Sequence, residues 1–287
     1  MKKKVICVVV TYNRLDCLKD CLTALHNQSF KDFDIVVVNN GSTDGTEEYL
    51  RSQSSINVIN QANLGSSGGQ YAGEKYGYDK GYEWIWMMDD DGFPEEHQLE
   101  ELLKYGEKGN LFLNALVIDK EDHSKLSFML GNYTLNEIRK QELIEDLIAP
   151  FNGTFFHRNA IEKSGFVKKE MFIWGDEQEY RLRLIKNGFK PKTVVSAIHY
   201  HPAEKGSFVS VFPPIIRATI LKKPTKMSKY YYRNCGYIDQ TYHRLEKIYL
   251  LKRIIYHCIY FIRTGSFGEC LKFIKFYNRG KKDDYTD

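Results

Sequence analysis

Near the amino terminus, Val5 to Val10 and Ile35 to Val38 are β-branched runs of strand length, and between them Leu15, Leu18, Leu22 and Leu25 recur at helical spacing. A strand, an amphipathic helix and a second strand form the βαβ unit of a parallel sheet, with a right-handed crossover. That unit commits the chain to an α/β architecture. Tyr82 to Met88 reads as a further buried strand, and Glu95 to Tyr105 as a helix following Pro94. The first hundred residues are thus one α/β half, with its ligand-binding loops at the carboxyl ends of the strands.

A chain of 287 residues with 43% hydrophobic and 27% charged residues can bury a sizeable core and is expected to be globular. Its six cysteines, at 7, 17, 21, 235, 258 and 270, have no CxxC pair and no regular spacing, which points away from a zinc site or a disulfide framework and towards reduced thiols in a cytosolic setting. The apolar run after the basic "MKKK" start passes into Tyr12-Asn13-Arg14 without a cleavage site, so it reads as a strand and not a signal peptide. In the middle section "LFLNALVID" and "KLSFML" look like strands, and Asp176 to Asn187 like a helix ended by Gly188. Breaks at Pro213-Pro214 and Lys223-Pro224 suggest two parts, 1–221 and 222–287. The charge divides with them: 222–287 carries 15 Lys or Arg against 6 Asp or Glu, whereas 1–221 carries 26 against 31. In the second part Leu250, Leu251, Ile254, Ile255, Ile259 and Ile262 make an apolar helical stripe. Lys252, Arg253 and His257 interrupt it, so it does not read as a membrane span.

Polar residues gather where the strands should end. Thr11, Tyr12, Asn13 and Arg14 follow the first strand, and Asn39, Asn40, Ser42 and Asp44 the second. Asp44 could accept hydrogen bonds from a base or ribose, although Asn-Gly and Asp-Gly are also ordinary turn residues. "NLGSSGGQYAG" sets Gly65, Gly68, Gly69 and Gly73 around Asn63, at a spacing that is neither GxGxxG nor Walker; these glycines would let backbone approach a bound ligand at a helix start.

The strongest signal is "IWMMDDDGF". Asp89, Asp90 and Asp91 directly follow a buried apolar run, and three adjacent carboxylates need a compensating cation or very good solvation. In an extended segment Asp89 and Asp91 would project together, suiting a hard divalent cation that also takes diphosphate oxygens, with Asp90 on the other side. Farther on, Asp176, Glu177 and Glu179 open a helix beside Trp174, and a carboxylate there could act as a general base. His199 and His201 in "SAIHYHP" could offer a further metal ligand.

Taken in order, TYNR, NNGSTDG, NLGSSGG, MMDDDG, GTFF, WGDEQEYRLR and HYHP resemble the family 2 glycosyltransferases, and most of all the branch of bacterial galactofuranosyl- and rhamnosyltransferases. The resemblance spans roughly residues 5 to 235. It implies a GT-A fold, Rossmann-like with a mostly parallel central sheet flanked by helices; the basic helical extension behind it is read from the charge and the apolar stripe of 222–287. It further implies a nucleotide-sugar donor, UDP- or dTDP-linked, and Mn²⁺ or Mg²⁺. Thr11, Tyr12, Asn13, Arg14, Asn40, Asp44, Asn63, Gly65, Gly69, Asp89 and Asp90 would bind the donor nucleotide; Asp89 and Asp91, with His201 or His199, would hold the metal. Gly153 and Thr154 would line the donor sugar and Trp174 the acceptor. Of the acidic pair, Glu177 is the base by register; a Glu departs from the commoner Asp there, so Asp176 stays open.

The expected reaction is inverting, metal-dependent transfer of a sugar to a hydroxyl of a cell-surface glycan or lipid-linked acceptor. The basic, aromatic tail suggests peripheral contact with the inner face of the cell membrane, or else a helical subdomain that packs on the core or dimerises. A binding or scaffold protein of the same fold is the alternative; nucleic-acid binding has no recognisable module behind it.

Overall fold

The computed structural model describes residues 4–106, 111–128, 133–145, 150–203, 208–212 and 216–286. Two compact units make up the chain: Met1–Lys169 with Tyr180–Glu204, and Glu170–Glu179 with Lys205–Asp287. The second unit thus takes in a short stretch around the acidic pair and resumes at Lys205, ahead of the composition change at 222; Pro213 and Pro214 lie outside the described residues.

The first unit opens with β1 (Val5–Thr11), α1 (Leu15–His26), β2 (Phe33–Asn39), α2 (Thr46–Arg51), β3 (Asn57–Asn60), α3 (Gly65–Asp79) and β4 (Trp84–Asp89). It continues through β5 (Phe93–Pro94), α4 (Gln98–Gly106), β6 (Leu111–Asp119), α5 (Leu135–Ile138), β7 (Leu143–Ile144), β8 (Asn152–His157) and α6 (Asn159–Ser164). Helix α7 (Asp176–Lys186), which belongs to this unit from Tyr180 onwards, then leads to β9 (Lys190–His201). The nine strands form one sheet in the order β3-β2-β1-β4-β8-β6-β9-β5, with β7 also on β9. β1, β2, β3, β4, β6 and β9 share one direction and β5, β7 and β8 run against them, so the sheet is mixed and mostly parallel, as expected of this class. The "KLSFML" strand does not form in the described residues: Leu126 makes an isolated bridge to Ile118, and Met129 and Leu130 lie outside them.

Alternation explains why the first strand tolerates no polar interruption. Val5, Cys7 and Val9 enter the core on one face of the sheet, while Ile6, Val8 and Val10 enter the core on the other. Strand β1 lies between β2 and β4 although β4 comes three strands later, which is the order reversal where open α/β sheets bind ligands. The glycines of α3 serve this packing. A Cβ on Gly69 would stand 2.4 Å from Val10, and one on Gly73 2.1 Å from Val8, so these glycines let α3 lie close on β1.

Helix α3 also carries Glu74, fully buried, whose carboxylate accepts hydrogen bonds from the Val167 amide at 2.8 Å and from the Tyr180 hydroxyl. Burial pushes this carboxyl up to about 7, against the opposing pull of those two donors.

The second unit contains the antiparallel pair β10 (Phe208–Phe212) and β11 (Ile216–Leu221), followed by α8 (Ser228–Tyr242), α9 (Lys247–Arg263) and α10 (Phe267–Lys281). Its core gathers Val211, Tyr232, Phe261, Phe273 and Tyr277. The inward face of α9 is His257, Tyr260 and Phe261, whereas Leu251, Ile255 and Ile262 of the expected apolar stripe are exposed.

Because the folded carboxyl of Glu74 sits above its unfolded value, its contribution to stability is present below that value and is lost as pH rises through about 7. Glu74→Gln keeps an acceptor for Val167 and offers an amide to Tyr180 without the titration. Its unfolding free energy relative to the wild type should rise by up to about 3 kcal/mol between about pH 5 and about pH 8. Urea unfolding of both proteins across that range checks this, and a flat difference would contradict it.

Candidate active site

The parallel register places Val10 beside Asp89, so the loop after β1 and the acidic turn after β4 leave the sheet side by side. Asp90 is buried there: its carboxylate accepts from the Thr11 hydroxyl at 2.6 Å and pairs with the Arg14 guanidinium at 3.1 Å. The same guanidinium pairs with Asp91. Asp89 accepts from the Gln70 amide at 2.9 Å. The strand stops at Asp89 and the chain turns at Asp90, so the alternation expected of an extended segment does not continue through Asp91.

The two-residue strand β5 then pairs with the end of β9, Phe93 opposite Tyr200 and Pro94 opposite His199. This carries the histidines to the acidic turn. His201 Nδ1 donates to the Pro202 carbonyl at 2.7 Å, and its Nε2 stands 3.4 Å from Asp91. With Nδ1 protonated, a neutral His201 would turn the Nε2 lone pair on a carboxylate; a proton or a metal ion resolves that conflict. His199 is fully buried, with Nδ1 3.4 Å from Gln98 and Nε2 packed so closely on Gly92 that a Cβ there would stand 2.4 Å away. Among the described residues, His201 is the histidine within ion-pair distance of the aspartates.

The three carboxyls are driven apart by their surroundings. Burial, with the charges of Asp91 and Asp90, pushes Asp89 up to about 7. Burial also raises Asp90 to about 6, against Arg14 and Thr11. At Asp91 burial is outweighed by the His201 hydrogen bond and by Arg14, which hold the carboxyl at about 2. Burial drives His199 down to about 3, whereas the hydrogen bond and charge of Asp91 overcome burial and raise His201. One guanidinium does not neutralise three carboxylates, and Asp89 keeps the shortfall.

Those donors are hard oxygens and an imidazole nitrogen, the set that suits Mg²⁺ or Mn²⁺. No three His, Cys, Asp or Glu side chains already converge as a closed metal cage among the described residues.

The other expected nucleotide-side residues hold the loops in shape. Asp44 accepts from the Leu15 amide at 3.0 Å and the Thr46 hydroxyl at 2.6 Å, and Asn13, at φ +51, accepts from the Thr43 amide at 2.7 Å. Asn40 is buried and donates to the Gly65 carbonyl at 2.8 Å while accepting from the Leu64 amide at 3.1 Å; Asn63 accepts from the Gly65 amide at 2.9 Å. Tyr12 is exposed. Thr154 is fully buried, its hydroxyl donating to Asn114 at 2.6 Å and accepting from the Phe151 amide at 2.6 Å, beside Gly153 at φ +72.

The acidic pair belongs to the second unit. Asp176 is fully buried; Glu177 is half-buried and accepts from the Gly175 amide at 2.9 Å. The loop before them is strained, with Phe172 at φ +68, Trp174 at φ +61 and Gly175 at φ +110. Asn234 on α8 clamps it: its amide lies 2.9, 3.0 and 2.9 Å from the carbonyls of Met171, Ile173 and Trp174. Lys223 stands over the Trp174 ring. Nothing in the sequence singles out Asn234, Gln70 or Gln98, because a lone amide has no period or motif.

The Glycosyl transferase family 2 model matches residues 6–165. Galactofuranosyltransferase GlfT1 of Mycobacterium tuberculosis is 31% identical over 252 residues, 83% of this chain and 83% of that protein. The GalNAc(5)-diNAcBac-PP-undecaprenol beta-1,3-glucosyltransferase of Campylobacter jejuni is 25% identical over 191 residues, 64% of this chain and 60% of that protein. Among solved structures, GalNAc-T7 with UDP, GalNAc and Mn²⁺ superposes with a TM-score of 0.56 at 15% identity, over 81% of this chain and 48% of that one.

Asn234→Ala removes the buried donor that holds a strained loop and should destabilise the protein by about 2 kcal/mol, read as a lower urea midpoint. Asn234→Asp, which cannot donate, should cost at least as much. Wild-type stability in both variants would mean that the clamp does not hold the loop.

Proposed function

The chain belongs to glycosyltransferase family 2, and from that premise we propose that it transfers a sugar, with inversion, from a nucleoside diphosphate donor to a hydroxyl of a cell-surface glycan or lipid-linked acceptor. Galactofuranose is the first choice of sugar, after the galactofuranosyltransferase GlfT1 relatives, and rhamnose the second. A relative that acts on a PP-undecaprenol glycan supports the lipid-linked acceptor and with it work at the inner face of the membrane.

The observation that carries this reading is the acidic turn at the carboxyl end of β4, set beside the β1 loop and faced by His201. Asp89, Asp91 and His201 would hold Mg²⁺ or Mn²⁺, which when bound supplies positive charge for the departing diphosphate. Arg14 is positioned on Asp90 and Asp91 and adds its own positive charge to the same place. An acceptor hydroxyl has a pKa far above 7, so a carboxylate must take its proton as the oxygen bonds to the anomeric carbon and the bond to the diphosphate oxygen breaks. Glu177 fills that role by register, with Asp176 the alternative.

The test is release of nucleoside diphosphate from UDP- and dTDP-sugars with Mg²⁺, Mn²⁺ or EDTA, with and without glycoside acceptors, and with nucleotide binding read in the same samples. One donor should be turned over in a metal-dependent way. Glu177→Gln should lower turnover by about 10²-fold or more while leaving nucleotide binding within about twofold. Full turnover in both Glu177→Gln and Asp176→Asn would remove the base assignment, and a protein that neither binds nor turns over any donor would overturn the reading itself.

A further inference from the structure

Helix α9 is apolar on two sides. Its inward side, His257, Tyr260 and Phe261, joins the core of the second unit. On the opposite side Ile248, Leu251, Ile255 and Ile262 are 74, 57, 40 and 53% exposed. Steps of three, four and seven residues keep these four on one stripe, which at 1.5 Å per residue is about 21 Å long. Leu245 stands exposed just ahead of the helix, and a shallow cavity of about 550 Å³ opens there, lined by Leu245, Glu246, Lys247, Ile248, Tyr249 and Lys252. In α10 of the same unit, Phe267, Leu271 and Ile274 are also exposed at helical spacing.

Nothing inside the unit requires these residues to be apolar, and a run of exposed Ile, Leu and Phe marks a contact surface. The charge around it selects the partner. From residue 244 to 282 the chain has ten Lys or Arg and two Glu. Arg253 is turned inward, pairing with Asp239 at 3.2 Å, whereas Lys247, Lys252, Lys275, Lys281 and Lys282 are exposed. A second copy of this chain would bring the same cations to the contact and be repelled. An anionic lipid surface complements them.

We propose that the outward stripe of α9, with the exposed apolar residues of α10, is a membrane-contact face that lies flat in the headgroup region of an anionic bilayer. No helix among the described residues is long and apolar enough to cross a membrane, so the stripe engages from one side, the apolar residues entering the interface and the lysines meeting phosphate. The inference deepens the membrane-side part of the proposed function. It does not rest on the transfer chemistry, so the two can fail separately.

The experiment is flotation of the full chain with phosphatidylcholine vesicles and with vesicles containing about 30% phosphatidylglycerol, at low and high salt. The wild type should partition at least about tenfold more strongly to the anionic vesicles, and salt should weaken that binding. The double substitution Leu251→Glu with Ile255→Glu should lower it by about tenfold or more while the melting temperature and nucleotide binding stay at wild-type values; Lys247→Glu with Lys252→Glu should lower binding to anionic vesicles alone. In Ile255→Trp, tryptophan emission should shift to the blue on anionic vesicles, which shows the stripe itself entering the interface. Equal flotation of the wild type and the Leu251/Ile255 variant, no binding to anionic vesicles, or a lipid-free dimer in sedimentation that the same variant dissolves would each overturn the proposal.

Discussion

The ion pairs of Arg14 with Asp90 and Asp91 are the constraint from which the rest of the site follows. Three successive carboxylates at the end of a buried strand repel one another and resist losing water, so the fold must bring positive charge to them. It does so from a neighbouring strand: β1 lies beside β4, and the residue three places beyond the end of β1 is Arg14. The Thr11 hydroxyl secures Asp90 from the same loop. Asp90 therefore supports the site, while Asp91 stays ionised and Asp89, pushed up by burial and by its two neighbours, is the carboxyl whose charge the protein itself compensates least.

That arrangement depends on close packing around β1. Strand β1 is covered on both faces, and α3 reaches it only because glycine recurs on the helix face that meets Val10 and Val8. Any side chain at Gly69 or Gly73 would push the helix off the strand and move Gln70, which bonds Asp89, away with it. Packing on β1 and support of Asp89 thus meet in one helix. The acidic pair has a different support. Its loop holds two non-glycine residues at positive φ, and the amide of Asn234 keeps three of that loop's carbonyls in place.

The acidic triplet, the two strand-end loops, the WGDE segment and the HYHP pair were each legible in the sequence, because each joins unusual residue types to the end of an apolar run. So was the mostly parallel sheet. Roles within those segments were less legible. "NLGSSGGQYAG" looks like a ligand loop, yet Gly69 and Gly73 within it serve helix-to-strand packing. Asp44 and Asn40 look like nucleotide contacts, and their side chains are engaged in holding the loops. The apolar stripe of the tail was visible as well, but its period does not say which side faces the core.

By itself the sequence determined the βαβ beginning, the place of the carboxylates and the basic character of the tail, since strand length, helical period and charge are local properties of the chain. Tertiary structure alone decided which cation meets which aspartate, that His201 and not His199 stands at ion-pair distance from them, and that one side of α9 is left uncovered. Those outcomes depend on the order of strands in the sheet, on the two-residue pairing of β5 with β9 and on which helix face the core accepts. Each is a contact between residues far apart in the chain, and spacing along the chain carries no record of it.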